Sequence, residues 1–472
     1  MKTFLNALLS ITGFLLSILW DIIIALADLT ESRKGPDSRF GHVYSIANRF
    51  HSGFLISRNA RLPREKSHEN LIVVGGTGSG KTSRLLINNI LTLKRCSMLI
   101  NDPSGELFEK CSGFLSQHFD IKVLNFSDAS VSSGYNCLSR VQKFSDIEKF
   151  AFLISKPRNG RSSSDEYWEI KCRETISFLT RLSQYEPLES RSVSFILKCL
   201  KDLIANPEVI DNMVIKTNDD QLLSDYKVLI SNSEKVLASI LSTAKAALNI
   251  FEDPEVAKVT SIDSIDFEMI RKIPTVLFLK NNVADSGYYS MLNALFFQQY
   301  YSFVLSALPK KDDLDTYLIL DELSSLYIPV LPLALANCRK YRVGTIGAIQ
   351  SENQLVTHYG NDAKNIMSNF ITRIYLPGVG EIESLKQLEA IGGQTKYKDK
   401  KGAEHTRNLV TLHEARILKH GRSWILHSNM PIIKGRTIPY YRSLKFKKAC
   451  KIPPITFISD IPLQEMKKEG VL

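Results

Sequence analysis

The sequence carries no Cys-x-x-Cys pair, no His-x-x-x-His spacing and no Cys/His cluster, so structural zinc sites and metalloprotease chemistry have no ligand set to stand on. Its seven cysteines are odd in number and scattered. That excludes a disulfide-stapled secreted scaffold and reads as reduced thiols in the cytosol. There is no internal repeat and no low-complexity tract, which removes solenoids and long disordered linkers. What is present is ordinary globular composition, with 44% hydrophobic and 23% charged residues over 472 positions, enough for two or three domains with ample core. The charge balance is less ordinary. A formal net charge of +11 and a pI near 9.1 favour an anionic partner, either nucleic acid or an acidic membrane surface.

Phe4 to Trp20 is free of charge, and beyond Asp21 the apolar run resumes through Ala27. This is long enough for one tilted bilayer crossing, although Asp21 costs ~3 kcal/mol if it sits near the bilayer centre. Only Lys2 precedes the stretch, whereas Arg33, Lys34 and Arg39 follow it, so the charge bias keeps the bulk of the chain on the cytoplasmic side. The run is too long for a cleaved signal peptide. Residues 1–34 are therefore expected to anchor the protein in the inner membrane; an interfacial amphipathic helix and a buried soluble helix are the alternatives.

Residues 35–70 are polar and aperiodic, with a short strand expected at Gly53 to Ser57. The core starts at Leu71. There LIVVGGTGSGKT, Leu71 to Thr82, places four apolar residues before a glycine-rich turn and a Lys-Thr pair, the pattern of a strand entering a phosphate-binding loop. Gly75, Gly76, Thr77, Gly78, Ser79 and Gly80 would curl so that backbone N–H groups face a polyphosphate. Lys81 would reach the β- and γ-phosphates of ATP, Thr82 would offer its hydroxyl to Mg²⁺, and the following helix would aim its positive end at the anion. Leu85, Leu86, Ile90 and Leu93 recur at helical spacing, and a strand follows at Ser97 to Ile100, so the unit is βαβ and implies a parallel sheet. Further buried strands are predicted at Thr275 to Leu279, Thr316 to Leu320, Gly344 to Ile349, Ile371 to Leu376 and Ser423 to His427. The expected division is a nucleotide-binding domain over 35–145 and 259–445, an all-α domain over 146–258, and a basic tail over 446–472.

Leu318 to Leu320 followed by Asp321-Glu322 forms a second nucleotide signature. A buried strand ending in an acid sets Asp321 beside the loop, where it can hold Mg²⁺ through water, and Glu322 can polarise the attacking water. Gln350, at the end of a further strand, fits a polar sensor; a surface amide opening a loop is the plainer reading. Asp102-Pro103-Ser104-Gly105-Glu106 ends the second strand, where α/β proteins bind ligands, and is equally a turn. Arg339 either reaches a neighbouring subunit's γ-phosphate or simply caps a helix. Tyr167-Trp168 reads as core or as a face for DNA or a partner.

Taken in series, GGTGSGKT, INDPSGELFEK, SGYNCLSRV, DEYWEIKCRE, EKVLASILSTAKAALNIFEDPEVA, LILDELSSL and NCRKYRVGTIGAIQSENQLVTHYG resemble the VirD4/TraG group of type IV secretion coupling proteins, ATPases of conjugative DNA transfer, over Phe54 to Tyr441. The resemblance implies a RecA-like P-loop NTPase with a mostly parallel sheet, interrupted by an all-α domain, in a ring of six subunits at the inner membrane. It implies ATP and Mg²⁺ as ligands, and as partners single-stranded DNA with its relaxase, protein effectors or adaptors, and the secretion channel. By motif, Lys81 and Thr82 match the phosphate and Mg²⁺ residues, Asp321 and Glu322 the acidic pair, Gln350 the polar residue of the next strand, and Arg339 the arginine acting across subunits. The chain departs from the group in having room for one membrane crossing before Arg33 instead of two. Ser104 stands where a lysine is common, and no long C-terminal extension follows, which leaves substrate recruitment to adaptors or the helical domain. A double-stranded DNA translocase of the FtsK/HerA kind and an ATP-binding recruitment platform without turnover are the competing readings.

Overall fold

The computed structural model describes residues 38–155, 165–280, 283–398 and 401–462. The apolar stretch Phe4 to Ala27 lies outside them; among the described residues no helix is long and apolar enough to cross a membrane. Thirteen strands are described. A small antiparallel pair, β1 (Leu55–Ser57) and β2 (Ala60–Arg61), precedes the main sheet, and an isolated hairpin, β10 (Gln394–Lys398) and β11 (Glu404–Asn408), stands outside it. The other nine form one sheet from β3 (Leu71–Val74), β4 (Cys96–Asp102), β5 (Asp120–Leu124), β6 (Thr275–Lys280), β7 (Asp315–Leu320), β8 (Val343–Ile349), β9 (Thr372–Tyr375), β12 (Arg422–His427) and β13 (Ile433–Arg436). Their order is β13-β12-β9-β3-β8-β7-β4-β6-β5. The seven strands from β9 to β5 run parallel, while β12 and β13 join antiparallel at the β9 side.

The apolar runs are explained by the layers on either face. Along β3, Leu71 and Val73 point into one hydrophobic cluster and Ile72 and Val74 into the other, and all four are fully buried. A strand covered on both faces has no solvent side to mark with polar residues, so it reads as an unbroken apolar run; each such side chain contributes roughly 2 kcal/mol of transfer free energy. The helix after the P-loop and the helix Glu106–Leu115 cover one face, where Leu85, Leu86, Leu107 and Cys111 are buried. On the other, the helix Ser286–Ser306 buries Leu292, Phe296 and Tyr300.

Between β5 and β6, which are hydrogen-bonded neighbours, the chain makes helices Phe144–Ser155, Asp165–Ser183, Val193–Ala205, Pro207–Thr217, Asp220–Ile230, Glu234–Leu248 and Pro254–Val259. Their limits follow local chemistry. Ser192 and Asp219 cap by accepting from Phe195 and from Gln221 and Leu222, Pro207 occupies a first-turn position, and Asn218 closes a helix in the left-handed region. Of the aromatic pair, Tyr167 is exposed and Trp168 half-buried, in edge contact at 5.1 Å. All seven cysteines are free thiols, six of them buried.

Candidate functional site

The C-terminal ends of β3, β8 and β7, three adjacent strands, bring together most of the residues that the sequence singles out. From β3 the chain turns through Gly75 to Gly80. Gly78 and Gly80 adopt φ of +73° and +88°, which side chains disfavour. Gly76 is required for a different reason, since a Cβ there would stand 2.1 Å from the Gly378 carbonyl oxygen. The helix then starts as one π-helical turn, Thr82–Leu86, and is tied down by Arg84 Nη1 donating to Thr437 O at 3.2 Å and Asn88 Nδ2 to Ile438 O at 2.9 Å.

Lys81 folds back over this loop, its Nζ donating to Gly75 O at 2.7 Å. Burial pushes its pKa down, against the pull of the Asp321 and Glu322 charges. Thr82 Oγ1 donates to Asp321 Oδ2 at 3.2 Å, so the two signatures, 239 positions apart in sequence, are in direct contact. Asp321 is held at the end of β7 by Asn101 Nδ2, which donates to its carbonyl at 2.8 Å. Burial pushes the Asp321 carboxyl up to about 6 despite the Thr82 bond, and the charges of Asp102 and Glu322 add to the rise. The next residue, Glu322, is exposed and sits at φ +56°, ψ +51°, a left-handed conformation that a non-glycine residue adopts at a cost of about 1 kcal/mol. Such strain clusters at working sites. Gln350 directly follows β8, the strand between β3 and β7, its backbone N–H donating to Gln354 Oε1 at 3.2 Å; with Gly76, Gln354, Gly378 and Glu381 it lines a cleft of about 520 Å³.

Two features of the loop and of the acid beside it, which lie outside the lining of that cleft, fit a polyphosphate with a hard cation. The Ser79 hydroxyl is buried in the loop without a hydrogen-bond partner, and Thr82 with Asp321 supplies a neutral and an anionic oxygen side by side, the donor type Mg²⁺ takes.

Asp102 was only half legible as a functional position. Its carboxylate accepts from the Phe108 N–H at 2.7 Å and is fully buried, so it does serve the turn, yet its charge also acts on Asp321 from the adjoining strand. Burial pushes it up to about 6, opposed by that backbone bond. Lys280, which the sequence did not flag, ends β6 opposite Asp102, with its Nζ 4.9 Å from the centre of the Phe108 ring. Its only signal was register, and register needs the sheet order.

Arg339 is not part of this assembly. It lies just before β8, at the opposite edge of the sheet, where its Nη1 pairs with Glu69 Oε1 at 3.0 Å while most of the side chain stays exposed. The seven residues of β8 separate it from Gln350, about 20 Å of strand, which no arginine side chain can span. Beside it Asp315, 2% exposed, is gripped by Arg64, by His68 Nε2 at 3.2 Å and by Arg342 Nε at 2.9 Å. Burial pushes the Asp315 carboxyl up, but these contacts outweigh it and hold the group well below the usual carboxylate range.

A family model described as type IV secretory system conjugative DNA transfer matches residues 43–463. Among curated proteins the chain is 23% identical over 428 residues to protein VirD4 of Agrobacterium fabrum, covering 84% of this chain and 62% of that one. It is 24% identical over 368 residues to conjugal transfer protein TraG of Escherichia coli, covering 70% and 56%. The chain thus spans about three-fifths of the length of these relatives. Among solved structures, plasmid coupling protein TrwB in complex with ADP and Mg²⁺ superposes with a TM-score of 0.62 at 19% identity, covering 87% of this chain and 97% of that one. At that identity the likeness shows the fold, a large, mostly parallel sheet with helices.

Proposed function

The chain belongs to the type IV secretory system conjugative DNA transfer family, and from that premise we propose that it is a coupling ATPase, anchored in the inner membrane through residues 1–34 with its bulk on the cytoplasmic side. It uses ATP with Mg²⁺ to recruit and help move relaxase-bound single-stranded DNA, or protein substrates, into a secretion channel, and it works as a homohexameric ring. In this reading residues 35–145 and 259–445 form the RecA-like nucleotide domain, 146–258 the all-α domain and 446–472 the tail. The observation that carries the proposal is the contact between Thr82 and Asp321, with Lys81 and Glu322 next to them in the chain and Gln350 following the strand that lies between β3 and β7.

Each residue then has a task. Lys81 exchanges the carbonyl oxygens of Gly75 and Gly76 for phosphate oxygens, a swap that its partial burial favours because the bare cation is poorly solvated there. Thr82 and Asp321 would hold Mg²⁺, which would supply charge neutralisation to the phosphates. Glu322 holds the attacking water and takes its proton. Gln350 hydrogen-bonds at the γ-phosphate position and passes its occupancy to the Gln354 side chain that its backbone engages. Arg339 points away from its own loop and completes the site of the next subunit in the ring.

A Lys81→Ala variant of the full chain should lose ATPase activity at least 100-fold, and retained turnover and DNA transfer would overturn the proposal. Mixing inactive Lys81→Ala with inactive Arg339→Ala subunits should restore part of the turnover, because an intact P-loop can then meet an intact arginine. No recovery on mixing would refute action across subunits while leaving the P-loop assignment standing.

A further inference from the structure

Where the described chain begins, its position is fixed. Phe40 stacks on Trp424 at 5.8 Å with Lys434 Nζ 3.6 Å above the same ring, and Gly41 bridges to Ile433. Ser38 N–H donates to Gln394 O at 2.8 Å, and Gly393, at φ +66°, leaves no room for a Cβ beside the Ser38 hydroxyl, 2.5 Å away. Gln394 is the first residue of β10. The hairpin β10–β11 is therefore rooted at the point where the chain arrives from its apolar N-terminal stretch. From Ala27, where the apolar run ends, to Ser38 is eleven peptide steps, which reach at most about 40 Å however they run.

Among the described residues β10 and β11 pair with no other strand, and the hairpin is exposed along nearly its whole length. Register sets Tyr397 opposite His405, with Arg407 on the same face, and Lys396 and Lys398 on the other. Lys401 follows near the turn, so four lysines and arginines stand against Glu404 alone among the described residues 394–398 and 401–408. Lys396 shares Glu404 at 3.8 Å and Arg407 shares Glu414 at 3.5 Å, all about half exposed. Pairs of that exposure are weak and exchange readily for another anion. Tyr397, 47% exposed with its ring 5.5 Å from that of His405, has the apolar body and polar tip that sit at a headgroup layer. The helix Ile382–Gly392, about 16 Å long, leads from the P-loop side to the hairpin, so the hairpin is free to work without touching nucleotide.

We propose that β10–β11 docks on anionic phospholipid headgroups of the bilayer that holds the N-terminal anchor, fixing the orientation of the sheet against the membrane. This rests on the anchor reading above. The test uses the full chain in nanodiscs of phosphatidylcholine alone or mixed with phosphatidylglycerol, with brominated acyl chains as quencher and a Tyr397→Trp reporter read as the difference from the same Trp20→Phe chain without it, since Trp168 and Trp424 are present in both. The reporter should be quenched in the anionic discs at least fivefold more than in the neutral ones. Lys396→Glu, Lys398→Glu and Arg407→Glu combined should abolish that difference, since each cation near an anionic surface is worth about fivefold in binding. Trp20 itself, compared with Trp20→Phe, reads the anchor separately. Quenching of Trp20 without quenching at position 397 would overturn the hairpin proposal and leave the anchor standing; quenching at neither would overturn both. Equal quenching in the two lipids would also overturn it. Protection of the reporter by an oligothymidylate, without lipid quenching, would assign the hairpin to nucleic acid and overturn it too.

Discussion

Asp321 offers the sharpest quantitative test, because the property that suits it to a cation site should weaken the ligand-free protein. Its carboxyl moves from the ordinary 3.8 to about 6 through burial, reinforced by Asp102 and Glu322. Each tenfold change in proton affinity is ~1.4 kcal/mol, so ionising this group in the folded protein costs about 3 kcal/mol. The sign follows from the direction. A carboxyl raised on folding leaves full stability below its unfolded value of 3.8, and that stability is lost as pH rises through about 6. Asp321→Asn keeps an oxygen for the Thr82 hydroxyl and removes the charge. In ligand-free full-length protein at pH 8 the variant should be more stable by about 3 kcal/mol, or roughly 6 °C in Tm at ~2 °C per kcal/mol for a large domain. At pH 4 the gap should close. Thermal unfolding followed by fluorescence at the two pH values measures it, alongside ATPase activity, which the variant should lose. A variant less stable than wild type at pH 8, or a gap independent of pH, would refute the assignment of an unneutralised buried charge.

Other consequences are simpler to state. Gly76→Ala should weaken nucleotide binding at least tenfold, because its Cβ meets the Gly378 carbonyl at 2.1 Å; Gly78→Ala, with open space around it, should show only the ~1 kcal/mol cost of its positive φ. Titration with a fluorescent ATP analogue separates the two. Asp315→Asn should destabilise the fold by about 3 kcal/mol at pH 7, by leaving Arg64 and Arg342 without their anion. Because Asp315 is held low, this contribution is in place above 3.8 and fades as pH falls through the still lower folded value, so denaturant midpoints of variant and wild type should converge only in strong acid.

The strands that the sequence revealed are the ones buried on both faces. All five later apolar runs, like the P-loop strand and Ser97 to Ile100, lie in the sheet as β6, β7, β8, β9, β12, β3 and β4. The two it hid are the edges. Along β5, DIKVL interleaves exposed Asp120 and half-buried Lys122 with apolar residues, and β13 alternates buried with exposed in IKGR. One-sided cover leaves only short alternations, too brief to separate from loop. The hairpin β10–β11 buries almost nothing and so had no hydrophobic signal at all. In the site, P-loop and acid pair were legible because their chemistry demands specific residue types at fixed spacing. Asn101, which holds Asp321 through its amide, was not, and Asp102 was legible as a strand-end position but not as a charge acting on Asp321, since both roles come from β4 lying beside β7 and no local pattern encodes that adjacency.

The same sheet order bears on the assembly proposed above. Parallel strands put every C-terminal end on one edge, so the loop, the acids and Gln350 converge there by topology. They also put Arg339 on the other edge, one strand's length away, and moor it to Glu69. Glu69 and Asn70 lead directly into β3, and Asn70 is pinned by its amide to Leu335 O at 3.1 Å and by its carbonyl oxygen to the Thr345 N–H at 3.0 Å. The mooring of the arginine and the phosphate loop are thus the two ends of a four-residue strand buried on both faces. Close-packed interiors transmit displacement instead of absorbing it. In a ring that shares its sites, a shift of Gly75 on nucleotide binding would therefore be felt at Glu69, and with it at the arginine presented to the neighbouring subunit.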